Sequence, residues 1–152
     1  MAKLKLKTVV QVAFFASVAI AILFQAASVY SRWRTGRQIR AEVWANARVT
    51  VLRTDPRFPP GVLLEYVNGS RFAIDKSRFN LTFTLAGRPA AAAERDFREV
   101  KPGQTVHVLL QSVATDPAAA PPPPGTRLAY TITVLPGQRK PLPEVAGELE
   151  IR

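Results

Sequence analysis

Residues 78–85 read RFNLTFTL, and apolar and polar side chains alternate along this stretch without a break. The odd positions are all apolar: Phe79, Leu81, Phe83 and Leu85. Successive side chains of a strand point to opposite faces of a sheet, so a period of two indicates a strand with one buried face. The stretch therefore predicts a β-strand that contributes to a sheet-on-sheet core.

The same period recurs along the C-terminal three-quarters of the chain, at residues 41–51, 106–110, 128–134 and 145–151. Seven or eight short strands with turns between them fit into residues 41–152, as in an antiparallel β-sandwich. The predicted core residues are Phe72, Ile74, Phe79, Leu81, Phe83, Val106, Val108, Leu110, Leu128, Tyr130 and Ile132.

Several connections carry recognisable turn chemistry. Residues 67–70, VNGS, predict a two-residue type I′ hairpin that joins VLLEYV to SRFAID, and residues 101–104, KPGQ, predict a type II turn. The alanine run 90–93 is compatible with one helical turn or with a bridging strand. Residues 116–125, DPAAAPPPPG, predict an exposed polyproline II loop.

The phrases EVKPGQTVHVLL and RLAYTITVLPG, together with the number of strands, resemble bacterial immunoglobulin-like β-sandwich domains carried on a single N-terminal membrane anchor. The resemblance covers residues 41–152 and implies a mainly β fold behind one transmembrane helix. The sequence departs from true immunoglobulin domains because it contains no cysteine pair.

Residues 8–30, TVVQVAFFASVAIAILFQAASVY, contain no charged residue, proline or glycine. As a helix they would extend about 34 Å, enough to cross a hydrocarbon core of about 30 Å. A cleaved signal peptide is the alternative, because residues 1–7 form a basic tail and Ala26, Ala27 and Ser28 are small. The length of the apolar run favours a retained transmembrane helix.

Residues 31–40 form an arginine-rich collar directly after this helix. Residues 1–48 carry eight basic side chains and one acidic one, a balance of +7, so the remaining 104 residues supply only +3 of the total of +10. Such flanks suit lipid headgroups rather than nucleic acid, which we do not expect as a partner. The predicted membrane-interface residues are Lys3, Lys5, Lys7, Arg32, Trp33, Arg34, Arg37 and Arg40.

Small residues recur every four positions in the apolar segment, at Ala13, Ser17 and Ala21. This spacing predicts a narrow ridge where a partner helix can pack closely. The segment contains no histidine and no charged residue, so it offers neither a haem ligand nor a proton relay.

The basic flanks nearly balance, and the excess of arginines after the helix points by itself to a cytoplasmic β-domain. The three lysines of the short tail oppose its translocation, and the resembled domains lie outside the cytoplasm. The predicted location is the inner (cytoplasmic) membrane, single-pass, with the β-domain periplasmic.

The sequence offers little reactive chemistry: no cysteine, one histidine and one methionine. His107 lies between Val106 and Val108, on the polar side of a predicted strand. We interpret Glu148 and Glu150 as solubilising charges on an edge strand. We therefore predict no catalytic, cofactor-binding or metal-binding residues.

Two function classes follow. In the first, the chain is a non-catalytic accessory or scaffolding subunit of a multi-subunit membrane complex, such as a respiratory or photosynthetic one, and its partners are lipids and the other subunits. In the second, it is a free-standing anchored domain that binds a ligand or assists assembly.

Overall fold

The computed structural model describes residues 2–137 and 140–152, and side chains from residue 9 onward within those ranges. Contacts divide the chain into two compact units, Met1–Arg40 and Ala41–Arg152. The predicted interface lysines Lys3, Lys5 and Lys7 lie outside the residues whose side chains are described.

One helix, α1, runs over Ala2–Asn46. The strand predicted to begin at residue 41 is therefore wrong for residues 41–46 and confirmed only from Ala47 onward. Among residues 41–46 only Val43 is buried, whereas Ala41 and Ala45 are exposed, so the alternation at these positions does not mark the buried face of a sheet. Alanine and glutamate favour helix at these positions, and no glycine or proline interrupts them.

Among the described residues, eight strands follow the helix: β1 Ala47–Asp55, β2 Gly61–Asn68, β3 Ser77–Leu85, β4 Arg88–Phe97, β5 Thr105–Gln111, β6 Val113–Ala114, β7 Arg127–Pro136 and β8 Val145–Glu150. They form a three-stranded sheet in the order β1-β2-β5 and a five-stranded sheet in the order β6-β4-β3-β7-β8. All pairs are antiparallel. The predicted mainly β architecture, one helix followed by about eight strands in two sheets, is confirmed.

The two sheets meet through the apolar faces of β2 and β3. Tyr66 of β2 contacts Phe79 of β3 edge-to-face, with ring centroids 5.3 Å apart, and its hydroxyl lies 3.1 Å from the Ser77 hydroxyl. Leu81 and Phe83 are also fully buried, and burying each such side chain contributes about 2 kcal/mol. The alternation at residues 78–85 therefore has the predicted role.

Most of the predicted core residues are buried, whereas Phe72, Val106 and Tyr130 are half-buried. The prediction omitted six fully buried apolar residues: Val62, Leu64, Tyr66, Ala91, Val100 and Val134. The first three lie on β2, which carries apolar residues on both faces, so its buried face did not stand out from the sequence.

The hairpin predicted at residues 67–70 is wrong. β2 is the central strand of its sheet, paired with β1 and β5, so residues 70–75 have no free edge to join. Instead the chain leaves this sheet, makes a bridge between Ile74 and Val100, and enters the other sheet at Ser77.

Asn68 organises this crossing rather than a tight turn. Its fully buried side-chain amide donates to the carbonyls of Phe72 (2.8 Å) and Val100 (2.9 Å). Its side-chain carbonyl accepts from the Ser70 backbone N–H (3.1 Å) and hydroxyl (2.7 Å). Asparagine was therefore needed for its side chain and not for positive φ.

The tight hairpin lies elsewhere, between β3 and β4. Ala86 and Gly87 both have positive φ, 48° and 77°, and link the paired residues Leu85 and Arg88 as a type I′ turn requires. The alanine run lies within β4, so the strand alternative holds. The type II turn at residues 101–104 is confirmed by Gly103 at φ 70° and by the Gln104 N–H bound to the Lys101 carbonyl.

Replacing Asn68 by alanine is expected to lower the free energy of unfolding by about 3 kcal/mol, because it removes four hydrogen bonds made by a fully buried side chain. Urea denaturation of the full chain in mild detergent, followed by near-UV circular dichroism, measures this change. Asn80→Ala is the matched control: Asn80 is half-buried on the polar face of β3, and we expect a loss of about 0.5 kcal/mol. Equal losses in both variants would contradict the role assigned to Asn68.

Candidate functional site

The helical surface of residues 9–30 is apolar and exposed on every side. Phe14, Phe15, Leu23 and Phe24 are each 63–79% exposed, and no part of the most apolar window is buried. By length and composition this helix can cross a membrane, and a signal sequence would meet the same criteria. An exposed apolar surface of this extent requires lipid or another protein to cover it.

The predicted ridge of small residues lies on one side of the helix. Ser17 donates its hydroxyl hydrogen to the Ala13 carbonyl four residues earlier, at 2.8 Å, so the hydroxyl is used within the helix. A shallow groove runs along the same side and is lined by Ser17, Ile20, Ala21, Phe24 and Gln25.

The collar does not surround the helix evenly. Arg34, Arg37 and Arg40 follow one another at three-residue intervals, and Trp33 lies four residues before Arg37. These four therefore share one side of the helix, whereas Arg32 lies outside this group. The Arg37 guanidinium carbon is 5.5 Å from the centroid of the Trp33 ring, and the ring centroids of Tyr30 and Trp33 are 6.1 Å apart. Tyr30 was not among the predicted interface residues, although its spacing from Trp33 would have revealed it.

Residues 41–46 dock on the sandwich through a paired charge. The Arg71 guanidinium donates two hydrogen bonds to the Glu42 carboxylate, at 3.0 and 2.9 Å, and the Arg71 backbone N–H adds a third at 3.1 Å. These bonds, chiefly those from the Arg71 side chain, lower the pKa of Glu42 below its ordinary value. The pair therefore needs an ionised Glu42.

Trp44 provides a second attachment for the same turn of helix. Its indole N–H donates to the Pro141 carbonyl at 2.7 Å, and the Lys140 ammonium nitrogen lies 3.9 Å from the ring centroid. The Gly69 N–H donates to the Asn46 carbonyl at 3.1 Å, where the helix ends. These contacts join positions that are far apart in the sequence, so no sequence motif indicated them.

An open groove of about 580 Å³ lies on the outer side of the three-stranded sheet. Its lining includes Arg53, Arg57, Leu63 and Leu109, and the two leucines are paired neighbours on β2 and β5. The carboxylate of Asp55, another lining residue, accepts the Arg57 backbone N–H at 3.1 Å. Two arginines beside apolar side chains suit an anion with an apolar portion.

His107 lies on β5 of the three-stranded sheet, whereas Glu148 and Glu150 lie on β8 of the five-stranded sheet. His107 is exposed and its imidazole lies 3.7 Å from the Glu65 carboxylate across the strand pair. Glu148 and Glu150 are exposed on β8. In the part of the chain that the structure describes, no three histidine, cysteine or acidic side chains are grouped to hold a metal ion.

No protein-family model matches this sequence, and no curated protein matches it either. Among solved structures, the chain is similar to a β-glucuronidase from glycoside hydrolase family 2, at 11% sequence identity and with a TM-score of 0.47. The match covers 70% of this chain and 11% of that protein, so the chain spans about a ninth of the length of the enzyme. A likeness of this extent gives no evidence of glycosidase activity.

The docking of residues 41–46 is expected to weaken in acid. The folded-state pKa of Glu42 is lowered. The stabilisation that ionised Glu42 gives to this docking is therefore present above the unfolded-state pKa of about 4.3, and it is lost as the pH falls through the folded-state pKa. Trp44 fluorescence, read in a Trp33→Phe background, is expected to change over this range. In the same background, Glu42→Gln is expected to show the acid-type spectrum already at neutral pH.

Asp96→Asn is the control for this experiment. The pKa of Asp96 is also lowered, by hydrogen bonds from Lys76 and Arg78, but these groups do not contact Trp44. If Asp96→Asn changes Trp44 fluorescence at neutral pH as much as Glu42→Gln does, the Glu42 to Arg71 pair is not what holds this turn.

Proposed function

We propose that this chain is a non-catalytic accessory subunit of a multi-subunit membrane complex, anchored by residues 8–30. The observation that carries the proposal is the exposure of apolar side chains on all sides of this helix. Lipid covers part of such a surface and neighbouring helices cover the rest. Respiratory and photosynthetic assemblies are suitable settings, because they recruit small single-span subunits that bind no cofactor.

Retention of the helix, rather than its removal as a signal peptide, is part of the proposal. Residues 26–28, where a peptidase would cut, lie in the middle of a helix that continues without interruption to Asn46. Proteases bind an extended backbone, so a helical segment is a poor substrate. Retention also keeps the interfacial tryptophan and arginines next to the apolar segment that they position.

The ridge formed by Ala13, Ser17 and Ala21 is the proposed contact with a partner helix. Small side chains allow close approach of two backbones, and the groove beside Ser17 and Ala21 has room for a partner's larger side chain. Gln25, at the end of this groove, adds a hydrogen-bonding group toward the same neighbour.

The proposed role of the β-domain is to brace neighbouring subunits, and we assign it to the immunoglobulin-like class. The three-stranded sheet β1-β2-β5 and the strands β4-β3-β7-β8 of the five-stranded sheet support this, because they follow the immunoglobulin orders A-B-E and C′-C-F-G, with β6 as an additional edge strand. The proposed location is the inner membrane with this domain in the periplasm. In this topology the tail with Lys3, Lys5 and Lys7 remains in the cytoplasm.

A second candidate function is a free-standing anchored domain that binds a ligand. The groove with Arg53, Arg57, Leu63 and Leu109 favours it, because this site can hold an anionic ligand without another subunit. The two candidates differ in what accompanies the chain when membranes are solubilised.

Gentle solubilisation of native membranes, followed by native gels and mass spectrometry, tests the subunit proposal. We expect the full-length chain, with its N-terminus retained, to migrate in stoichiometric amount within a large complex. Ala21→Leu is expected to lower the complexed fraction about tenfold, because it fills the ridge. Ala19→Leu, the same change about 160° around the helix from Ala21, is expected to leave the fraction unchanged.

Two results would contradict the subunit proposal. A chain that runs alone at its own mass in mild detergent would favour the ligand-binding candidate. A chain that is found only in shortened form and in the soluble fraction would show that residues 8–30 act as a signal peptide.

A further inference from the structure

The arginines and aromatic residues that follow the apolar segment are concentrated on one side of the helix. At about 100° per residue, Arg34, Tyr30, Arg37, Trp33 and Arg40 occupy an arc of about 120°. We call these five residues the arginine face. Arg32 lies about 140° from Arg37, the centre of this face, although it belongs to the same stretch of sequence.

The side chains of this face point outward together. Tyr30 and Trp33 are more than half exposed, and all three arginines are exposed. The contact of Arg37 with the Trp33 ring holds one planar cation beside an indole and leaves its N–H groups open to a ligand. Tyr30, next to Trp33, adds a phenol hydroxyl as a further donor.

The helix supplies no anion to this face. The first 41 residues contain no aspartate or glutamate, and Glu42, the nearest carboxylate in the sequence, is paired with Arg71. The three arginines on this side of the helix therefore have no carboxylate within their own unit, and phosphate oxygens match the donor geometry of a guanidinium group.

The position of the face along the helix identifies the anion. Just before it, the same side of the helix is apolar, with Ala19, Ile22, Leu23 and Ala26 exposed. An anionic phospholipid has the matching sequence of groups, acyl chains followed by a phosphate at the interface. The ridge of Ala13, Ser17 and Ala21 lies about 160° from the arginine face, so a helix on that side would leave the face free.

We infer that the arginine face binds the phosphate of an anionic phospholipid at a fixed side of the helix, opposite the side that takes a partner helix. The inference rests on the proposed membrane anchoring of residues 8–30. It adds a directional lipid site where a uniform collar would give only general attraction to an anionic surface.

The test uses the full-length chain in nanodiscs made from equal amounts of phosphatidylcholine and phosphatidylglycerol, with native mass spectrometry of the released protein. We expect bound phosphatidylglycerol in preference to phosphatidylcholine. Arg37→Gln is expected to lower phosphatidylglycerol retention about fivefold. Arg32→Gln removes the same charge from the other side of the helix and is expected to leave retention unchanged.

The outcomes separate this inference from the anchoring on which it rests. Equal loss in Arg32→Gln and Arg37→Gln, with both chains inserted in the discs, overturns the directional site and leaves the anchor intact. Loss of phosphatidylglycerol when inorganic phosphate is added shows that the face binds free phosphate, and overturns the lipid assignment. A wild-type chain that does not enter the discs overturns the anchor and the site together.

Far-UV circular dichroism checks that the variants stay helical. We expect no loss of helix, because glutamine and arginine have similar helix propensity.

Discussion

The contact of Tyr66 with Phe79 joins the two sheets, and the rest of the β-domain depends on it. One ring comes from the central strand of the three-stranded sheet and the other from the central strand of the five-stranded sheet. Each ring is fully buried, and the hydroxyl of Tyr66 keeps a polar partner in Ser77. Burial raises the pKa of Tyr66, so this hydroxyl stays protonated and bonded at physiological pH.

Because the sheets face each other, the chain must cross from β2 to β3, and Asn68 makes this crossing possible. A buried backbone that belongs to neither sheet leaves its N–H and C=O groups without ladder partners. The Asn68 amide supplies partners to Phe72, Val100 and Ser70 at once. The same region accepts the end of helix α1, because Gly69 binds the Asn46 carbonyl and Arg71 binds Glu42. A single loop therefore serves both the crossing and the attachment of residues 41–46.

Each of the two units carries surfaces that we propose for binding. Within Met1–Arg40, a ridge of small residues and an arginine face lie on opposite sides of one helix, which suits a subunit that meets protein on one side and lipid on the other. Within Ala41–Arg152, the groove beside Arg53 and Arg57 suits an anionic ligand. None of these three surfaces groups nucleophiles, bases or metal ligands as a catalytic site does.

The sequence by itself determined the local features of this protein. The alternation at residues 78–85, the charge-free stretch 8–30 and the type II turn at residues 101–104 each depend on neighbours within a few positions, and each was predicted. The arginines that follow the apolar segment are also visible in the sequence, and their role at a membrane interface stays a prediction.

Only the tertiary structure decided the features that depend on distant partners. Residues 41–46 are helical because Glu42 and Trp44 bind Arg71 and Pro141, and residues 67–70 form no hairpin because β1 and β5 occupy both edges of β2. Their local patterns were compatible with helix and strand, or with hairpin and loop. Hydrogen bonds between residues 29 and 97 positions apart selected one alternative, and such separations leave no periodic signal in a sequence.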